Sequence, residues 1–353
     1  MYMTSVLEFL FINKQPSLNI FTILQYPCRN DVNYRRLVIA CLVKGVYILE
    51  SDRQQNRDEI EALATPLWES FHFQLHHKLV DNNDSIFGAI YEYKYPNPAP
   101  SFPQYVIAFR GTLMKKETVL RDGKLNFKCF YNKLHKSSSF QLAMDCVLVT
   151  MSGGARVWLA GHSPGSAMAL LAGKNMAKMG YFLETYLFNP PFLYFPMEAA
   201  IKDTIVKFVI RCASSVVSAG LSRDVNGRQH HEIEDHEPFN VPLSSWIPYL
   251  FVNPHYPICS EYIGYFEHRK KMRAKILGGV DRFLTKSCMD SGSEPLNLIP
   301  SADLTINRCQ LTEFQGPFCK YKKFKRAHGI QQWWNYVPCD SLRYEYNTTN
   351  YVE

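Results

Sequence analysis

The sequence predicts an α/β fold with a mostly parallel central sheet flanked by helices. Two observations carry that prediction. Segments whose apolar residues recur every three and four positions alternate with short apolar runs, and one such run feeds through a glycine-flanked turn into a helix of small residues. Taken in order, Arg35 to Glu50 sets Leu37, Ala40, Cys41, Tyr47 and Ile48 at helical spacing, and Trp68 to Val80 repeats the pattern with Phe71, Phe73, Leu75 and Leu79. Both segments are predicted helices. Ser85 to Tyr93 alternates as a strand does, Pro96 to Pro103 reads as a proline-rich loop, and Tyr105 to Phe109 is a second short strand, so the pair predicts a hairpin. A helix over Ser138 to Val149 and a turn at Gly153-Gly154 precede the run Arg156-Val157-Trp158-Leu159-Ala160. Gly161-His162-Ser163-Pro164-Gly165 then opens a helix reaching Met179. Thr185 to Phe188 and Val206 to Arg211 predict two further strands, whereas Ser222 to Pro242 is polar, rich in His and Glu, and the least ordered stretch.

Composition narrows the function classes. At 353 residues, 46% hydrophobic and 20% charged, the chain has apolar surface enough for a large core, which excludes disordered and fibrous proteins. The formal net charge of +7 is concentrated in Gly264 to Lys286 and in Lys320 to Arg326, and it implies no nucleic-acid partner. Runs of this kind are usually solvated faces; the functional alternative is peripheral contact with an anionic membrane surface. The 10 cysteines show neither a C-x-x-C pair nor a regular spacing, which predicts reduced thiols and a cytoplasmic location. No zinc pattern is present, and His230, His231 and His236 with Glu232, Glu234 and Asp235 read as a solvated acidic loop. Glu8 and Lys14 interrupt the first apolar patches, with no basic segment ahead of them, so no secretory signal is expected. Leu37 to Val43 falls far short of the roughly 18 apolar residues a spanning helix needs. The sequons at Asn83 and Asn347 are therefore expected to stay unglycosylated.

The sharpest chemical signal is Gly161-His162-Ser163-Pro164-Gly165, which fits G-x-S-x-G. Glycines on both sides of a serine allow a strained strand-to-helix turn that lifts the hydroxyl clear of the backbone. The strand before it and the small-residue helix after it are the context this motif requires. Phe109-Arg110-Gly111-Thr112 closes an earlier strand, where a fold of this kind takes one of its oxyanion donors, here Thr112.

Further blocks extend the pattern: Tyr34-Arg35-Arg36, Gly45 to Glu50, Ile86-Phe87-Gly88, Phe188-Asn189-Pro190-Pro191-Phe192, Val252-Asn253-Pro254, Cys259 to Phe266, Ile299 to Ala302, and Ala327-His328-Gly329-Ile330 with Gln332-Trp333-Trp334. With these, the chain resembles the plant branch of the fungal-type (class 3) lipases, α/β-hydrolases often named GDSL esterase/lipase-like, although no Gly-Asp-Ser-Leu block is present. The resemblance runs from about Asn33 to Trp334 and leaves out residues 1 to 30. It implies an α/β-hydrolase domain over 31–340, after an N-terminal extension of 1–30 and before a tail of 341–353.

By resemblance the nucleophile falls on Ser163 and its histidine on His328. The family's acid, in a Gly-Asp-Pro block, falls on Tyr256 of His255-Tyr256-Pro257. A phenol cannot fix the imidazole tautomer as a carboxylate does. Glu261, Asp235 and Asp224 are the candidates for a substitute. Pro164 stands where the family has leucine, and proline lacks the backbone N–H that this position gives to the oxyanion. A proline also pushes the residue before it toward extended angles, so the turn at Ser163 is expected to relax. The resemblance thus implies a serine ester hydrolase acting on acylglycerol-type or other carboxylic esters, with no cofactor and no metal, slowed by Tyr256 and Pro164. The alternative is an inactive relative that keeps the pocket for a lipid or protein partner.

Overall fold

Asp31 opens the first helix, its carboxylate accepting from the Asn33 N–H at 2.8 Å as an N-cap does. Helix α1 (Val32–Gln54) follows, and Leu37 to Val43 are all buried, so it is enclosed on every side over nearly two turns. The computed structural model describes residues 31–57, 61–64, 66–94, 102–111, 134–192, 241–273, 299–309, 319–334 and 339–345. Thr112, Asp224, Asp235, the strand predicted over Val206 to Arg211 and the histidine-rich loop lie outside them.

A short helix α2 (Pro66–Glu69) leads into β1 (Phe73–Val80), β2 (Ile86–Tyr93) and β3 (Tyr105–Phe109). Helix α3 (Ser138–Met151), capped by the Ser137 hydroxyl, precedes β4 (Val157–His162) and α4 (Pro164–Lys178). Then come β5 (Thr185–Phe188), α5 (Val241–Ser245), β6 (Tyr249–Val252), α6 (Glu261–Arg273), β7 (Ala302–Asn307), α7 (Cys319–His328), a 3-10 turn (Ile330–Trp333) and β8 (Cys339–Tyr344).

Among the described residues one eight-stranded sheet lies in chain order from β1 to β8. Strands β3 to β7 run parallel, while β1, β2 and β8 pair antiparallel at the two edges. The β2–β3 pair is the hairpin expected from the sequence. The parallel strands are buried on both faces, which is why they read as unbroken apolar runs. Ile107 and Leu159 point to a layer containing α3 and α4; Val106, Trp158 and Tyr186 point to the opposite layer, containing α1 and Trp333.

The predicted helix over Trp68 to Val80 is corrected to a turn of helix followed by β1. A register shift between Leu75 and His77 turns the strand over, so Phe73 packs with the α1 layer and Leu79 with the other. That bulge spoils the two-residue alternation and leaves apolar spacings that mimic a helix.

Two polar anchors tie the layers. Glu50, fully buried, accepts from Arg53 Nη2 at 2.7 Å, Gln54 Nε2 at 2.6 Å and the Ile86 N–H at 2.8 Å. Burial alone would raise its pKa, but these donors outweigh it and bring the carboxyl down to about 2. Arg110 clamps the end of β3 by donating to Ser85 Oγ and the Gly111 carbonyl, each at 2.7 Å.

Candidate active site

Polar residues collect at the carboxyl edge of the parallel strands: Ser163 after β4, Asn189 after β5, Asn253 after β6 and Asn307 at the end of β7, all buried. This edge is where open α/β sheets place their sites.

Ser163 has φ 56° and ψ −127°, a conformation rare for a residue with a side chain and worth about 1 to 3 kcal/mol of strain. Its N–H donates to the Phe188 carbonyl at 2.9 Å, and its own carbonyl accepts from the Ser166 N–H at 3.0 Å. The flanking glycines are needed for close approach. A Cβ on Gly165 would fall 2.5 Å from the Arg110 oxygen, and one on Gly161 would fall 2.6 Å from the Ser166 nitrogen. The expected relaxation of this turn does not occur. A ψ of −127° already lies outside the αR well that a following proline disfavours, and Pro164 suits the first turn of α4.

His328 ends α7, and its Nε2 lies 3.1 Å from Ser163 Oγ. Its backbone is held from several strands. The His328 carbonyl accepts from His162 Nε2 at 2.7 Å and from Asn189 Nδ2 at 2.9 Å. Gln332 Nε2 donates to the carbonyls of Ala327 at 2.6 Å and Gly329 at 2.9 Å, while its Oε1 accepts from Asn253 at 2.6 Å and Asn307 at 3.0 Å. Because a carbonyl can only accept, His162 carries its proton on Nε2, and its Nδ1 accepts from the Tyr47 hydroxyl at 2.8 Å. Tyr47 in turn accepts from the Gly111 N–H at 2.7 Å. One hydrogen-bonded chain therefore joins the end of β3 to the histidine.

Tyr256 fills the space beside that histidine. Its ring packs against the His328 imidazole at a centroid distance of 4.9 Å and against Phe324 at 5.3 Å, and it is completely buried. Among the described residues no carboxylate contacts His328, and its Nδ1 has no hydrogen-bond partner. Glu261 is buried at the start of α6 without reaching it. Pro164 presents its ring Cδ toward Gly111, where it bounds the candidate oxyanion space with carbon. Among the described residues Cys41, Cys146, Cys259 and Cys339 are not in disulfides.

The basic stretches divide. Arg269 is buried, donating to Tyr265 Oη at 3.1 Å and to the carbonyls of Ile299 at 3.0 Å and Pro300 at 3.1 Å, so it is part of the core and not of a wet face. Lys322, Lys325 and Arg326 are exposed on α7. Among the described residues no helix is long and apolar enough to cross a membrane, and no His, Cys, Asp and Glu group is placed to hold a metal.

Burial pushes His328 down to about 4, and burial followed by the neighbouring His328 pushes His162 well below the usual histidine value. In the unfolded chain a histidine takes up its proton near 6.5. Between pH 6.5 and about 4 the unfolded state thus binds more protons, and stability falls as pH falls. Unfolding free energies from urea titrations at pH 7.5 and pH 5 are expected to differ by on the order of 2 kcal/mol from His328 alone. A His328→Asn variant should lose less on acidification; an undiminished loss would assign the effect to other groups.

The sequence alone did not reveal Tyr47, His162, Asn189 and Gln332 as site residues. Each lies inside a quoted block, but Tyr47 and His162 stand 115 residues apart, and no spacing signals their contact. A hydroxyl on the otherwise apolar stripe of α1 was the available clue.

An α/β sheet with a serine on a strained turn at its carboxyl edge, and a histidine fixed beside it, defines an α/β protein with a serine–histidine pair. No protein-family model matches the chain. A protein of Arabidopsis thaliana named GDSL esterase/lipase is 43% identical over 323 residues, spanning 86% of this chain and 89% of that protein. The chain belongs to the family of that GDSL esterase/lipase.

Proposed function

We propose that the chain is a lipase- or carboxylesterase-type serine hydrolase of the α/β-hydrolase fold, related to the fungal-type (class 3) lipases, that cleaves carboxylic, acylglycerol-type esters slowly. The observation that carries this reading is Ser163 Oγ on a strained turn, 3.1 Å from His328 Nε2. The name borne by the Arabidopsis relative supports an ester substrate. In this reading residues 31–340 form the hydrolase domain, and cysteines without a paired spacing favour a cytoplasmic location.

Ser163 attacks the ester carbonyl while His328 Nε2 takes the hydroxyl proton, and an acyl-enzyme forms as the alcohol leaves. Two features slow this. Without an acceptor on Nδ1, the imidazole is free to hold its proton on Nε2, where it cannot accept from serine, and the imidazolium gains no compensating charge. Pro164 removes one oxyanion N–H, typically worth about 10² to 10³ in rate. The same two features favour a second reading, an inactive relative that binds a lipid or protein partner.

Hydrolysis of short-chain p-nitrophenyl esters by the native protein and by Ser163→Ala separates the two. Slow turnover that vanishes in Ser163→Ala is expected. A native protein without turnover would leave binding as the function.

A further inference from the structure

A buried phenol beside the serine makes no well-formed hydrogen bond among the described residues. Tyr256 Oη is sealed from solvent and lacks a hydrogen bond among the described residues. An unsatisfied buried hydroxyl costs about 1 to 3 kcal/mol, which a hydrogen-bond acceptor arriving with the substrate would recover. We propose that the Tyr256 hydroxyl donates a hydrogen bond to the substrate's carbonyl oxygen as it becomes an oxyanion, replacing the backbone N–H that Pro164 lacks.

The inference rests on the ester-hydrolase reading of Ser163. Three observations support it. The ring is clamped between His328 and Phe324, at centroid distances of 4.9 and 5.3 Å, so a phenol rooted where the family's acid stands lies alongside the imidazole. The Ser163 side chain is the polar group that faces the phenol, without forming a well-aligned hydrogen bond to it, so Tyr256 Oη sits at the serine. The Tyr47 hydroxyl, at the Pro164 side of the serine, is already committed to Gly111 and His162 and is not a competing donor there. Burial raises the phenol above its ordinary pKa, so it keeps its proton throughout the working range. Side-chain hydroxyls, tyrosine included, can serve as oxyanion donors.

In the acylation step a new bond forms between Ser163 Oγ and the carbonyl carbon. The serine proton passes to His328 Nε2, and the carbonyl π electrons move onto oxygen, where the Tyr256 O–H meets them. Collapse restores the C=O bond and breaks the bond to the alcohol oxygen, which takes the proton from His328. Water repeats the sequence on the acyl-enzyme and releases the carboxylic acid. Tyr256 donates a hydrogen bond throughout and gives up no proton. Its place in the core and its effect on rate are separable, because phenylalanine keeps the ring.

The test compares native protein and Tyr256→Phe, each with Pro164 and with Pro164→Leu, on p-nitrophenyl butyrate and on a fluorophosphonate probe of Ser163. With Pro164 present, Tyr256→Phe is expected to lower kcat by about 10²-fold, with KM and the melting temperature little changed. With Pro164→Leu the same change should cost less than about tenfold, since a backbone donor is restored. Equal losses in both backgrounds, or a Tyr256→Phe rate within about threefold of native, would overturn the proposal alone. A native protein inert to both ester and probe would overturn the hydrolase reading itself, and this donor with it.

Discussion

Pro164→Leu combined with Tyr256→Asp is expected to raise kcat/KM on a short-chain ester by at least about 10³-fold. The leucine restores an N–H at the first turn of α4, and the aspartate restores a charge that can hold the Nδ1 proton of His328. Losing a triad carboxylate costs about 10⁴ and losing an oxyanion donor about 10² to 10³, but the two do not multiply because they serve one step. The gain has a structural cost. Tyr256 is fully buried among Phe324, His328 and the α6 layer, so aspartate there leaves a void and should lower stability by about 3 to 5 kcal/mol. Melting curves must therefore accompany the kinetics. A folded double variant no faster than native would show that neither substitution limits the rate.

Gly161→Ala carries the second large effect, on folding. The added methyl would overlap the Gly165 carbonyl and sit 2.6 Å from the Ser166 nitrogen, both main-chain groups of the turn that raises Ser163. Neither can swing aside as a side chain can. Relief requires parting the first turn of α4 from β4, and we expect a loss of about 3 to 5 kcal/mol or no folded product. Gly153→Ala is the control, since nothing lies within 4 Å of the position its Cβ would take. Urea midpoints read both, and a Gly161→Ala protein within about 1 kcal/mol of native would contradict the close-packed turn.

Much of the sheet was legible because doubly buried parallel strands leave a simple mark. Thr185 to Phe188 was read to the residue, and Tyr105 to Phe109 likewise. β1 was misread because its bulge sends Phe73 and Leu79 to opposite layers, a tertiary fact with no local signature. Ser163 announced itself because the glycines that its turn needs are neighbours in the chain. His328 did not: beside Trp333 and Trp334 it looks like a packing residue, and only the family block singled it out. The substitution at Tyr256 was visible, but the unpartnered state of its hydroxyl was not, because burial of a single atom is decided by residues from β6, α7 and the serine turn together. Pro164 misled in one respect, since its penalty applies to a backbone region that Ser163 never enters.

The strands lie in the sheet in the order in which they occur in the chain, and that order sets a sequence of events during synthesis. Each strand leaving the ribosome finds its edge partner already made, so the sheet grows from one side to the other. The serine turn needs only β3 to β5, but His328 follows 165 residues after Ser163, beyond β7. At about 5 to 20 residues per second, the nascent chain carries the serine without the histidine that faces it for on the order of ten to thirty seconds. The last of the described helices to emerge is therefore the one that carries the histidine facing the serine, and a chain cut short before α7 would hold most of its described sheet without that pair.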